Sequence, residues 1–252
     1  MIKLEISFDG QNYLGWQIQK DFTPTVQEKI NLALKKIYKV DVGTTGSGRT
    51  DSGVHAFKLY ATFKAPFDIP LVAITKAMNT YLPDDIRVMN AVNVNENFKP
   101  TNHATSREYR YFFTNLENKS AFFSKNIANI SYKLDFEAMS KACNLFVGEH
   151  DFLSFHSKGS DPRTTTREIF SCEIYFEKGS MGGVLPDHYV IKFVGSGFLK
   201  QMVRALVGVI WSVGRGKLKL EDVQSELDSP TGKHIAPIAP AEGLYKFSVT
   251  YS

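Results

Sequence analysis

Hydrophobic and polar residues follow two different periods along the chain, and each period predicts a different element. Residues 2–9 alternate apolar and polar side chains, which is typical of a half-buried β-strand. From Val26 to about Lys39 the apolar residues recur at helical intervals, and Thr25 with Glu28 has the spacing of a capping box. The first forty residues therefore predict a strand followed by a helix.

The same two periods continue to the last residue. Strands are predicted at 57–63, 86–94, 107–114, 167–177, 188–194 and 244–251, and helices at 70–81, from Asp135, at 198–213 and at 220–227. The helix at 198–213 has the clearest apolar face, and Gly214 is expected to end it. No stretch has the composition of a flexible linker, and no segment repeats exactly.

This order of elements predicts an α+β fold. The first half has a βαββαβ-like order, and the second half repeats the same theme. Two similar halves, residues 1–105 and 106–252, are expected to share a mainly antiparallel central sheet with helices packed on it. The chain is better described as two halves of one fold than as separate domains on a string.

Composition places the chain among ordinary globular proteins. Of 252 residues, 43% are hydrophobic and 22% are charged, which excludes intrinsic disorder and a small disulfide-stapled scaffold. The net charge of +4 permits contact with an anionic polymer. The two cysteines form no CxxC motif, and the apolar stretch 202–213 is too short to span a bilayer. We therefore expect a soluble cytoplasmic protein with no membrane segment.

The densest candidate for chemistry is the glycine-rich stretch 46–56. It lacks the Lys-Ser/Thr pair of a phosphate-binding P-loop, and Asp51 occupies the third glycine position of a dinucleotide-binding fingerprint. What remains is a tight backbone that presents Asp51 beside an arginine and hydroxyl groups, an arrangement suited to nucleophilic or base catalysis. A hairpin turn closed by an Asx-type hydrogen bond fits the same spacing, so both interpretations stay open.

Three other positions carry possible chemistry. On the strand at 107–114, Tyr109 shares a face with Arg107, which suits stacking on a base near a phosphate, although a half-buried strand fits equally well. Arg204 lies inside an apolar helix, where it either extends to solvent or faces a buried anion. His55 follows the glycine-rich stretch and is interpreted mainly as structural. The six histidines never fall at metal-ligand spacing, so no metal site is expected.

Six blocks of sequence resemble the tRNA pseudouridine synthase A family. They are Tyr13–Gln19, Gly48–Ala56, Arg107–Tyr111, Gly148–Phe152, Phe198–Arg204 and Ala239–Leu244. The blocks occur in the family's order and span nearly the whole chain, and GRTDSGVHA, the second block, is highly specific. The chain departs from the family's usual residues at 165–166 and 200–201, which affects the expected RNA contacts rather than the reaction.

The resemblance implies an enzyme that isomerises uridine to pseudouridine. Its substrate would be the anticodon stem-loop of tRNAs at positions 38, 39 and 40, and it would act as a homodimer without a cofactor, a metal or another protein partner. The implied fold is the pseudouridine synthase fold, in which a catalytic cleft lies between the two halves. The reaction takes no group from outside and involves no net oxidation, which agrees with the lack of metal-ligand and nucleotide motifs in the sequence.

The resemblance also assigns roles to five residues. Asp51 would be the catalytic nucleophile, and Arg204 would pair with it. Tyr109 would lie against the target base, and Arg49 would occupy the space that the displaced base leaves. Leu244 would provide apolar packing at the cleft. Whether Asp51 attacks C1′ of the ribose or removes the C2′ proton stays open.

Two other classes of protein fit parts of the pattern. A non-catalytic RNA-binding protein would use the same basic and aromatic surface, but it would not need Asp51 in a tight turn together with Arg204 in an apolar helix. A retaining glycosidase would need a second carboxylate about 5 Å from the first, and the sequence offers no evident acidic partner. We therefore prefer the isomerase and keep the RNA-binding protein as the alternative.

Overall fold

A computed structural model describes residues 1–20, 24–115, 121–157, 162–179, 181 and 184–252 of the chain. These residues form two compact units. Unit 1 comprises Met1–Thr105 with Tyr245–Ser252, and unit 2 comprises Ser106–Leu244. The last strand thus contributes to unit 1, whereas the division expected from the sequence placed it in the second half. Within the described residues, no helix is long and apolar enough to cross a membrane.

The described residues form strands with α-helices between them. The strands are β1 (Ile2–Phe8), β2 (Thr45–Gly46), β3 (His55–Phe63), β4 (Ile86–Asn93), β5 (Ala104–Thr114), β6 (Ala128–Asn129), β7 (Gly148–Asp151), β8 (Thr166–Glu177), β9 (His188–Gly195) and β10 (Leu244–Tyr251). The α-helices are α1 (Val26–Tyr38), α2 (Leu71–Tyr81), α3 (Phe136–Leu145), α4 (Met202–Gly214) and α5 (Leu220–Asp228).

The sheet of unit 1 has the strand order β4-β1-β3-β10. Strand β1 is antiparallel to β3 and β4, β2 is antiparallel to β3, and β10 runs parallel to β3 with Tyr245 opposite His55. The alternation predicted for residues 2–9 is confirmed, because every second side chain of β1 is buried. These side chains form one hydrophobic core with the apolar faces of α1 and α2, and burial of this surface stabilises the unit.

Helix α1 begins and ends as its sequence predicts. The N–H of Glu28 donates to Thr25 Oγ1 at 3.3 Å, and the N–H of Thr25 donates to Glu28 Oε2 at 3.4 Å, which completes the capping box. At the other end, Lys39 adopts a left-handed φ of 62°, and its N–H donates to the carbonyl of Lys35 at 2.9 Å. Both ends are thus closed by the chain's own groups, which stabilises the helix against fraying.

The sheet of unit 2 has the order β5-β9-β8-β7, with antiparallel neighbours, and β6 pairs in parallel with β5. Helix α4 is its most apolar helix, and all of its residues except Arg204 are buried. The free cysteines Cys143 and Cys172, distant in sequence, meet through a side-chain hydrogen bond between α3 and β8. Burial and this bond raise the pKa of Cys172 well above its ordinary value, so its thiol is neutral. The predicted α+β class is confirmed.

Helix α4 begins at Met202, four residues later than the helix predicted at 198–213. Gln201 adopts a left-handed φ of 58°, which the interior of a right-handed helix excludes. Phe198 therefore lies before the helix, where its ring packs edge-on against Tyr109 with the ring centroids 5.1 Å apart. The spacing of apolar residues correctly predicted the buried face of α4. It could not predict where the helix begins, because a left-handed residue such as Gln201 does not change that spacing.

A buried carboxylate fixes the end of α5. Glu226, only 8% exposed, accepts hydrogen bonds from the Ser154 hydroxyl and from the Thr231 N–H and hydroxyl, the last two at 2.6 and 2.8 Å. Burial raises the pKa of Glu226, but these hydrogen bonds outweigh it and hold that pKa below its ordinary value. The ionised form of Glu226 therefore contributes to the stability of unit 2.

Candidate active site

The loop that carries Asp51 starts from a fixed point on β3. Ser47 is fully buried, and its N–H donates to the carbonyl of Tyr60 at 2.7 Å. The N–H of Tyr60 donates in return to Ser47 Oγ at 3.1 Å. This reciprocal pair of bonds fixes the backbone four residues before Asp51.

The segment from Tyr13 to Trp16 holds the other side of the same loop. The N–H of Trp16 donates to the Thr50 carbonyl at 3.3 Å, and the N–H of Gly53 donates to the Tyr13 carbonyl at 3.1 Å. Gly15 lies so close to the loop that a Cβ at this position would be 2.3 Å from the Thr50 carbonyl oxygen. The first of the six family-like blocks is thus a backbone support for the second.

Asp51 occupies the first position of a tight turn. Its carbonyl accepts from the N–H of Val54 at 3.2 Å, and Gly53 takes a φ of +77° that favours glycine. Asp51 is half-buried and Arg49 is exposed. The turn expected from the glycine spacing is confirmed as backbone geometry, and it leaves the carboxylate of Asp51 on a supported loop. The catalytic role of Asp51 stays a prediction at this point.

His55, which follows the turn, has a structural environment. Its side chain is fully buried, and its Nδ1 lies 3.1 Å from the amide nitrogen of Gly10 and 3.0 Å from Asp9 Oδ1. Its ring stacks on Tyr245 of β10, with centroids 4.5 Å apart. These contacts agree with the structural interpretation of His55. They join the end of the loop to β10 and to the two residues that follow β1.

Sequence reasoning missed Lys246, a fully buried lysine on β10. Its Nζ donates to the Ser47 carbonyl at 3.4 Å, and a Cβ on Gly48 would lie 2.7 Å from that Nζ. Burial of an ammonium group costs much free energy unless oxygen atoms accept its hydrogen bonds. Lys246 is therefore held against this loop by its bond to the Ser47 carbonyl. The available signal was a charged residue at a core position between Leu244 and Val249, both buried, on a strand.

Tyr109 lies on β5 of unit 2 beside other aromatic residues. It is half-buried on β5, on the same face as Tyr111, which is fully buried. Tyr111 packs edge-on against Trp211 of α4 at 5.4 Å, and its hydroxyl donates to the Pro240 carbonyl at 2.9 Å. Phe198 supports the edge of the Tyr109 ring. Tyr109 is therefore held in place, as a platform for a base requires.

Arg204 is half-buried, whereas all other residues of α4 are buried, and a backbone carbonyl orients its guanidinium. Its Nε donates to the Ala239 carbonyl at 2.7 Å, and the N–H of Ala239 donates to the Arg204 carbonyl at 3.0 Å. Burial and the Glu242 carboxylate raise the pKa of Tyr111, whereas the charge of Arg204 lowers it. Arg204 is thus oriented near Tyr111. Its predicted pairing with Asp51 stays a prediction.

Leu244 is buried at the end of unit 2, directly after a glycine that its surroundings require. A Cβ on Gly243 would lie 2.7 Å from the carbonyl oxygen of Phe112 and from ring atoms of Tyr111. Only glycine permits this close approach to β5. The apolar environment of Leu244 agrees with a packing role, and its place at a cleft stays a prediction.

The two units therefore each gather part of the predicted set. Unit 1 presents Asp51 and Arg49 from one loop, and unit 2 carries Tyr109 on β5 and Arg204 on α4. Within the described parts of both units, no group of three or more histidine, cysteine or acidic side chains is placed to hold a metal ion. The available chemistry is that of a carboxylate, arginines and a phenol.

Comparison with known proteins places the chain in a family. A family model described as tRNA pseudouridine synthase matches residues 6–101 and 142–252. A tRNA pseudouridine synthase A from Ruminiclostridium cellulolyticum is 39% identical over 99% of both chains. Proteins of the same name from Acetivibrio thermocellus and Caldicellulosiruptor saccharolyticus are each 37% identical, again over 99% of both chains.

Among solved structures, a chain of a Cbf5-Nop10-Gar1 complex aligns with a TM-score of 0.33 at 12% identity, over 84% of this chain and 54% of that chain, which is too weak to inform function.

The α+β fold and the matched family model define an isomerase of the pseudouridine synthase class. More narrowly, the chain belongs to the tRNA pseudouridine synthase A family, as its six sequence blocks predicted, and its substrate is tRNA. Asp51, Arg49, Arg204 and Leu244 fall inside the matched ranges, whereas Tyr109 falls between them. The family membership sets aside the non-catalytic RNA-binding protein.

Proposed function

We propose that the chain isomerises uridine to pseudouridine at positions 38, 39 and 40 of the tRNA anticodon stem-loop, with Asp51 as the catalytic carboxylate. The observation that carries this proposal is the support of the Asp51 loop. Bonds from Tyr60, Trp16 and Lys246 fix its backbone, and the half-buried carboxylate is the one acidic side chain of that loop. Fixed placement of a reacting group is a main source of rate enhancement.

Two routes conserve all atoms in this reaction. If Asp51 adds to C1′, the N1–C1′ bond breaks, its electron pair leaves with the uracil, and the carboxylate holds the ribose as an ester. If Asp51 instead removes the C2′ proton, the same bond breaks to give a glycal, and that proton later returns to C2′. In both routes the uracil turns and C5 bonds to C1′. In the first route the C1′–O bond of the ester breaks as this bond forms, and its electron pair returns to the Asp51 carboxylate. C5 then loses its proton, and N1, which no longer bonds to the ribose, gains one.

The other predicted residues have distinct tasks in this reaction. Arg204, oriented by the Ala239 carbonyl, would keep Asp51 ionised and placed. Tyr109, whose ring packs edge-on against Phe198, would hold the detached uracil while it turns, and its phenol could assist the loss of the C5 proton. Arg49 is exposed on the Asp51 loop, so it can reach into the stack that the flipped nucleotide leaves.

Tritium release tests this function directly. Anticodon stem-loops would carry uridine tritiated at C5 at only one of positions 38, 39 and 40, with cytidine at the other two. We expect each of these three stem-loops to release tritium to water. We also expect pseudouridine in the digested product. A stem-loop with its tritiated uridine elsewhere in the loop is the matched control. Release from that control alone would contradict the site, and formation of free uracil would contradict isomerisation.

The proposal extends to a homodimer that acts in the cytoplasm. The family resemblance supports the homodimer. Two buried cysteines that are free thiols agree with a reducing compartment such as the cytoplasm. Sedimentation equilibrium of the full chain would give twice the mass of one chain. A single-chain mass at concentrations where the protein is active would contradict the dimer.

A further inference from the structure

Two arginines of unit 2 converge on the short segment Gly195–Gly197 before α4. In the sheet, Gly195 of β9 pairs with Arg107 of β5 on one side and with Ile169 of β8 on the other. A guanidinium nitrogen of Arg107 donates to the Ser196 carbonyl. A Cβ built on Gly197 would lie 3.7 Å from Arg167 Nε. Both guanidinium groups therefore lie along the same three residues.

Backbone carbonyls hold the Arg167 guanidinium in place. Its Nη1 donates to the Thr164 carbonyl at 2.9 Å and to the Thr166 carbonyl at 2.6 Å. Burial and the positive charge of Arg107 lower the pKa of Arg167, so the two like charges act on each other. Both side chains are half-buried, which leaves room for contact from solvent. Two nearby cations repel one another, and an anion that contacts both relieves that repulsion.

Arg107 of this pair lies close to Tyr109. Arg107 lies two residues before Tyr109, on the same face of β5. Phe198 directly follows Gly197 and packs against the Tyr109 ring at 5.1 Å. A base that contacts Tyr109 would thus lie beside Arg107, and Arg167 lies two strands away on β8.

We propose that Arg107 and Arg167 form a binding site for a phosphodiester of the tRNA backbone next to the target nucleotide. Guanidinium groups suit this ligand because they stay charged and present paired N–H donors that match phosphate oxygens. The location of this phosphate rests on the proposed function, since it assumes that the target base contacts Tyr109. The existence of the phosphate site does not depend on turnover.

Salt-dependent binding of tRNA provides the first test. Arg167→Met should weaken tRNA binding by roughly tenfold and should lower the slope of log Kd against log salt concentration by about 0.7 to 0.9. Arg167→Lys should retain the slope while it loses part of the affinity. Arg110→Met is the matched control, because Arg110 lies on the opposite face of β5 and pairs with Glu108 at 2.7 Å. An unchanged slope for Arg167→Met would overturn the site.

A second measurement locates the phosphate and uses the wild-type chain. Anticodon stem-loops with a single neutral methylphosphonate at each linkage around the target uridine would be bound by wild type and by Arg167→Met. We expect one linkage whose neutralisation weakens binding by wild type about tenfold. The same neutral linkage should cause no further loss of affinity in Arg167→Met. If neutralising each linkage lowers the affinity of wild type and of Arg167→Met by the same factor, the site is wrong. If tritium release fails while this coupling is found, the proposed function falls and the phosphate site stands.

Discussion

Replacement of Gly15 by alanine tests the support of the Asp51 loop. Gly15 takes a φ of +94°, and an added Cβ would lie 2.3 Å from the Thr50 carbonyl oxygen and 3.2 Å from the Asp51 carbonyl carbon. The Gly15 carbonyl also accepts from the N–H of Val26 at 3.2 Å, at the start of α1. The segment therefore cannot move away freely, and the loop must yield instead.

The expected effect follows from two terms. A non-glycine residue at this φ costs about 1–3 kcal/mol. Ordinary van der Waals contact also requires the Thr50 carbonyl to withdraw by about 1 Å, since non-bonded heavy atoms rest about 3.5 Å apart. Because Asp51 follows Thr50 directly, its carboxylate moves with it, and a displacement of about 1 Å can lower the rate about a hundredfold. We expect a loss of about 2–4 kcal/mol in unfolding free energy together with that rate loss.

Two assays read these terms separately. Denaturant unfolding gives the change in stability, and single-turnover tritium release at a temperature where the variant is folded gives the rate. Gly43→Ala is the matched control, because no heavy atom lies within 4 Å of its added Cβ and its φ is not positive. The control should stay within about 0.5 kcal/mol of wild type at an unchanged rate. Wild-type stability and rate in Gly15→Ala would refute the support role of Tyr13–Trp16.

Three further substitutions separate catalytic from structural roles. Arg204→Met should lower the single-turnover rate at least about a hundredfold, roughly 2.7 kcal/mol, with tRNA affinity within about tenfold of wild type, while Arg215→Met beyond the far end of α4 should change little. Lys246→Met removes a cation from the base of the Asp51 loop and should lower the rate about tenfold and move the acid limb of the pH–rate profile to higher pH. The lowered pKa of Glu226 stabilises the fold at neutral pH, and this stabilisation is lost as the pH falls through that pKa, below the ordinary value of 4.5. Glu226→Gln should therefore lose about 1–3 kcal/mol at pH 7 and show a smaller loss of stability in acid than wild type.

Each of these expectations has a contrary result. Equal single-turnover rates for Arg204→Met and wild type would remove Arg204 from catalysis. A pH–rate profile of Lys246→Met that overlays wild type would limit Lys246 to packing. Equal stability of Glu226→Gln and wild type at pH 7, with parallel acid unfolding, would show that the carboxylate of Glu226 contributes nothing.

Strong local signals made most elements predictable from the sequence. Helix α1 follows from its periodicity and the Thr25 capping box, and β10 follows from its aromatic and apolar run with the predicted bounds. The start of α4 could not be found, because the left-handed Gln201 has no signature in hydrophobicity. The two-residue strands β2 and β6 are too short to show any period.

The candidate site was predictable only in part. Glycine spacing located Asp51, but it could not distinguish a catalytic loop from an ordinary turn, and family resemblance made that choice. The support of the loop by Tyr13–Trp16 depends on backbone bonds between segments more than thirty residues apart in sequence, which no local pattern encodes. The burial of Lys246 depends in the same way on the pairing of β10 with β3.

The most direct test of the central claim is single-turnover tritium release by Asp51→Asn, with tRNA binding measured on the same preparation. We expect no release above background, binding within about threefold of wild type, and a melting temperature within a few degrees, since a half-buried loop carboxylate holds little of the core together. Asp41→Asn, at an exposed carboxylate that pairs with Lys35 at 2.8 Å, is the matched control and should release tritium at the wild-type rate. Release by Asp51→Asn at the wild-type rate would contradict the assignment of Asp51 as the catalytic carboxylate.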